Sequence, residues 1–95
     1  MNIDTETTVI ARHPDTQFRE VGDEIYLVHP DGEQIYNLNP MAAALWRLIG
    51  EPMTIADMAQ IVHAAFPILS QNKVNADVSA VMGELLNLGF ATTKI

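Results

Sequence analysis

Cysteine is missing from this 95-residue chain, which removes disulfides, thiolate nucleophiles and thiolate zinc sites together. Basic residues are scarce: five Lys and Arg stand against twelve Asp and Glu, for a formal net charge of −7. Such a balance opposes the phosphate neutralisation that nucleic-acid binding requires. Long apolar runs are also lacking, since none approaches the roughly 18 residues of a membrane-spanning helix. The first ten residues, MNIDTETTVI, have neither the basic flank nor the apolar centre of a secretion signal. These absences predict a cytoplasmic protein with neither membrane nor nucleic acid as its partner.

The residues that are present describe one small folded domain. Hydrophobic residues make up 48% and charged residues 18%, enough for a single core and too apolar for a disordered segment. Charge is uneven. Eight of the twelve acidic residues and only two of the five basic ones lie in residues 1–33. That acidity keeps a small protein soluble, or it favours a basic partner; both readings stay open.

Pattern supplies the architecture. Residues 1–15 form a polar lead-in, at most partly ordered, and residues 16–95 form the domain. QFREV (17–21), EIYLVH (24–29) and QIYNL (34–38) are short runs rich in aromatic and β-branched residues. Gly22-Asp23 and Pro30-Asp31-Gly32-Glu33 separate them with turn chemistry, which predicts a three-stranded antiparallel meander. TVIARH (8–13) competes with QFREV for the place of first strand. Along the second strand, Ile25 and Leu27 face one side, Tyr26 and Val28 the other.

Three helices follow. Asn39 caps the first and Pro40 suits its first position, with Met41, Leu45, Leu48 and Ile49 as its apolar stripe and Gly50 as its stop. Thr54 opens the second, with Asp57 three residues on, and Pro67 ends it. PILSQNK (67–73) reads as a loop, and the third helix as Val74 to Leu88, closed by Gly89. Trp46, the only tryptophan, is expected in the core. The fold class is therefore α+β: a three-stranded antiparallel meander, then three helices.

The third helix carries a wider apolar face than a single contact demands. At about 100° per residue, Leu88, Val81, Val74, Leu85 and Val78 form a stripe that Met82 and Leu86 extend to roughly 160°, against a little over 100° for an ordinary core helix. Either both flanks pack inside, or Met82 and Leu86 line an open groove, where methionine's pliancy suits a variable ligand.

Catalytic chemistry is sparse. His13, His29 and His63 lack metal-ligand spacing, Ser70 and Ser79 lack a nucleophile's context, and no glycine-rich phosphate loop exists. No enzymatic activity, cofactor or metal is expected. A winged-helix DNA-binding protein would need a basic recognition helix, whereas the third helix offers Lys73 against Asp77 and Glu84. The remaining alternative is an interaction subunit that pairs with a folded protein.

The run GDEIYLVHPDGEQIYNLNPMAAALWRLIGEPMTIADMAQIVHAAFP, then a short loop and VNADVSAVMGELLNLGFA, resembles the PqqD-like family, whose members are recognition elements for ribosomally made, post-translationally modified peptides. Order and spacing carry the resemblance over residues 18–92: the Asn37-Leu38-Asn39 junction, the small residues before Trp46, Thr54, and the helix end from Leu85-Leu86 to Gly89. The resemblance implies a winged-helix-like fold of three strands and three helices and a non-catalytic peptide chaperone. Its partners would be a precursor's leader segment and a modifying enzyme of radical SAM or leader-peptidase type. A three-stranded meander leaves its third strand as an edge, ready to accept a peptide strand. Gln34, Ile35, Tyr36, Asn37 and Leu38 are accordingly the expected peptide-binding strand, with Val78, Met82 and Leu86 of the third helix beside it.

Overall fold

A computed structural model describes residues 4–29, 32 and 34–94. Of the second predicted turn, Pro30, Asp31 and Glu33 lie outside the described residues. The meander forms as read. Strands β2 (Gln17–Val21), β3 (Glu24–Val28) and β4 (Ile35–Leu38) pair antiparallel in the order β2-β3-β4. Gly22, at φ 62°, makes the two-residue turn that sets Val21 opposite Glu24, a left-handed conformation that glycine adopts without a Cβ clash. The register places Ile25 across from Leu38 and Leu27 across from Tyr36. Ile25 and Leu27 are fully buried on one face, and Tyr26 and Val28 are half-buried on the other.

A second sheet accompanies the first. Val9–Arg12 (β1), from the segment read as lead-in, is its central strand, flanked by Met53–Thr54 (β5) and Ala91–Lys94 (β6). TVIARH therefore does not compete with QFREV; each becomes a strand in its own sheet. Ile10 is fully buried. Arg12 ties the two halves together. Its guanidinium lies 4.8 Å from the Phe18 ring centre and 4.7 Å from that of Trp46. It also donates to the Trp46 carbonyl oxygen from Nε at 3.1 Å and Nη2 at 2.7 Å, joining β1, β2 and a helix through one side chain.

Helix α1 (Pro40–Leu48) starts where the sequence places it, with the Asn39 side chain accepting from the Ala42 amide at 2.8 Å. Its last residue is Leu48, with Ile49 as cap ahead of Gly50. In α2 (Ile55–Ala65), the Thr54 hydroxyl oxygen accepts from the Asp57 amide at 3.1 Å. Helix α3 (Gln71–Leu88) begins one turn earlier than the apolar pattern predicts, because Ser70 caps it, accepting from the Lys73 amide at 3.1 Å. That first turn is wholly polar, so hydrophobic periodicity could not reveal it. Gly89, at φ 85°, ends the helix in the left-handed conformation.

The core lies between the helices and the inner faces of both sheets. Trp46 and Phe90 are its largest members, joined by Ile10, Leu45, Ile49, Met58 and Leu85. Helix α3 packs against α2 on one side and β6 on another, and this double packing explains its wide apolar face. Val74, Val78, Met82 and Leu85 are all buried, while Val81, Leu86 and Leu88 are half-buried against the same core. Met82 thus belongs to the packed interior, with no surface open to a groove. Among the described residues, no helix is long and apolar enough to cross a membrane.

Candidate peptide-binding edge

Strand β4 is short because Asn39-Pro40 commands a helix immediately after it. Its position in the sheet is what matters. One row of its backbone groups pairs with β3, and among the described residues no strand pairs with the other row. Such an edge exposes donors and acceptors that an extended peptide satisfies by adding as a strand. Side chains alternate along it: Ile35, 72% exposed, and Asn37 point away from the core, while Tyr36 is half-buried and Leu38 buried on the inner side.

Helix α3 runs beside this edge. Between them lies a small cavity of about 100 Å³, lined by Tyr36, Leu38, Ala42, Val81, Glu84 and Leu85 among others. The Tyr36 hydroxyl donates to a Glu84 carboxylate oxygen, and its ring packs 6.0 Å from that of Phe90. This contact pushes the Tyr36 phenol up, first through the hydrogen bond to Glu84, then through burial and the carboxylate's charge.

The structure brings some of the expected residues together and separates others. Gln34 precedes β4, and its carbonyl accepts from the His29 amide at 3.1 Å, closing the β3–β4 hairpin. Ile35, Tyr36, Asn37 and Leu38 form the edge strand. Val78 and Met82 are fully buried, so they support α3 from beneath without presenting surface beside β4. Leu86 is half-buried against the core. Val81 and Glu84 are the α3 residues at the surface of the cavity beside β4, with the buried Leu85 at its base. Val81 and Leu85 stood in the predicted stripe, but nothing in the spacing tells which side of a wide stripe turns toward a strand.

Other chemistry is thin. Among the described residues no group of three or more His, Asp or Glu is placed to hold a metal ion. Lys73 on α3 pairs with Asp77 at 3.2 Å, and Arg47 on α1 with Glu20 at 2.8 Å. The helices therefore present little free positive charge for a phosphate backbone.

Comparisons with known proteins bear on the fold and the family. No curated protein matches the chain. A solved structure, TbiB1 in complex with the TbiA(beta) leader peptide, superposes with a TM-score of 0.77 at 16% sequence identity, covering 85% of this chain and 93% of that one. A family model for coenzyme PQQ synthesis protein D matches residues 24–91. That span runs from β3 to the start of β6 and includes both β4 and α3, so the chain belongs to the PqqD family.

Proposed function

We propose that this protein binds the leader segment of a ribosomally synthesised precursor peptide by strand addition to β4 and presents it to a modifying enzyme. The observation that carries this reading is the unpaired edge of β4 lying directly beside α3. Backbone pairing supplies affinity with little demand on peptide sequence, and the cavity beside Tyr36 and Leu38 supplies selectivity. Membership of the PqqD family and the likeness to a structure holding a leader peptide support it. The enzyme served is of radical SAM or leader-peptidase type, and the chain itself acts by binding, without catalysis.

The test is a titration of the ¹⁵N-labelled protein with synthetic leader segments of candidate precursor peptides. Amide shifts should move together in Ile35–Leu38 and in α3 around Val81–Leu85. Shifts confined to α2 and β1 would rule out strand addition at this edge.

A further inference from the structure

A second, apolar concavity lies away from the β4–α3 cavity. It sits between α1 and α2, encloses about 400 Å³, and is lined by apolar residues alone, among them Pro40, Met41, Ala44, Ile61, Ala65 and Phe66. Ile61 and Phe66 remain 45% and 55% exposed, although the helix carrying them has a fully buried face available. A grouped apolar surface of this kind marks a contact site more often than isolated exposed residues do.

A third depression joins the two. About 310 Å³ in volume, it is lined by Asp23, Glu24, Asn37, Leu38, Asn39 and Pro40. It shares Asn37, Leu38 and Asn39 with the β4–α3 cavity and Pro40 with the α1–α2 pocket. Lining residues thus succeed one another beyond the Leu38 end of β4: the strand edge, a step bearing two carboxylates, then Pro40 at the rim of the apolar pocket. Among the described residues, neither carboxylate is in an ion pair, and Glu24 accepts only from the neutral Tyr26 hydroxyl, at 2.8 Å.

We propose that the α1–α2 pocket is a second anchoring site for the same precursor peptide. Past the segment that pairs with β4, the peptide sets a Lys or Arg over Asp23 and Glu24 and then one or two large apolar side chains in the pocket. This inference rests on the peptide-binding reading above. An extended chain advances about 3.3 Å per residue, so a few residues carry it from the Leu38 end past Pro40. The acidic step selects a cation by charge, and the chain as a whole, at −7, favours the same sign. A concavity of this volume takes individual side chains. A folded partner would instead need a face of about 800 Å², and the pocket's lining is too local to supply it.

The experiment compares two synthetic peptides from one candidate precursor leader. One is trimmed to the shortest form that still shifts the β4 amides; the other extends through the adjoining basic and apolar residues. Calorimetry should show the longer peptide binding wild type about tenfold more tightly or better, as burial of a large side chain implies. Ala44→Glu, at an exposed helical position, should bring the longer peptide down to the affinity of the shorter one and leave the shorter unchanged. Ala65→Glu repeats the test from α2 in case the first variant unfolds. Equal affinity of the two peptides for wild type, or a leader with no basic–apolar pair on that side, overturns the second anchor while leaving strand addition standing. Failure of both peptides to bind wild type overturns the leader-binding reading, and the second anchor falls with it.

Discussion

Tyr36, on the edge strand, donates a hydrogen bond to Glu84 on α3, so one side-chain hydrogen bond spans the two elements that frame the proposed peptide-binding edge. Removing the hydroxyl with Tyr36→Phe keeps the ring against Phe90 and frees the Glu84 carboxylate. Since both groups are largely exposed, stability should change by less than about 1 kcal/mol. Peptide affinity is the informative readout, because the cavity that Tyr36 and Glu84 line is small. A calorimetric titration of Tyr36→Phe should differ from wild type well beyond any change in thermal unfolding.

The same contact makes a prediction about pH. Tyr36 is raised by its hydrogen bond to Glu84, and Tyr26 is raised by its hydrogen bond to Glu24 and by that carboxylate's charge. In both cases the neutral phenol is the favoured form in the folded chain. The stabilisation is thus fully present below the unfolded tyrosine value of about 10 and is lost as pH climbs through the raised folded value. Ultraviolet titration should place both phenolate transitions above that of free tyrosine. Glu84→Gln should return only the Tyr36 transition toward it.

Trp46 is fully buried, with Phe18 edge-on at 5.7 Å. Trp46→Ala should cost about 3–5 kcal/mol in urea unfolding. Its indole N–H has no hydrogen-bond partner, alone among buried side-chain polar atoms of the described residues, and such an orphan is itself costly. Trp46→Phe keeps a ring for Arg12 and Phe18 while removing the orphan donor. It should be at least about 1 kcal/mol milder than Trp46→Ala, which also removes that donor, and equal losses would show that the ring contacts contribute little.

Met82 and Leu86 differ in burial despite their neighbouring places on α3. Met82→Ala opens a hole in the packed interior and should destabilise the fold by about 2–5 kcal/mol. Leu86 is only half-buried, so Leu86→Ala should cost less than Met82→Ala. Thermal unfolding of the pair checks the order.

Gly89 closes α3 with φ 85°, and a Cβ there would lie 3.3 Å from His29 Nε2. Gly89→Ala combines a left-handed strain with a tight contact and should destabilise by about 1 kcal/mol or more. Gly22, also at positive φ, has nothing within 4 Å of its position for a Cβ. Gly22→Asn should therefore be tolerated, because asparagine enters that conformation more readily than other residues with a Cβ. Chemical denaturation of both variants separates strain from crowding.

Local chemistry written in neighbouring residues determined much of this protein. Gly22-Asp23 decided a turn, and alternation in EIYLV decided which residues of β3 go inward. Asn39-Pro40 and Thr54 decided where two helices begin, because each cap satisfies amides only three residues away. The negative charge was equally legible. What the chain alone left open was every choice that depends on elements far apart in sequence. The second sheet joins Val9–Arg12 to Met53–Thr54 and Ala91–Lys94, strands of two to four residues whose pairing no local period announces. The side of α3 that meets β4 was settled by packing on α2 and β6, which drew Val78, Met82 and Leu85 inside and left Val81 and Glu84 at the surface beside the edge. A helical stripe specifies that a face is apolar; only the neighbours it packs against specify which part of that face remains open to a ligand.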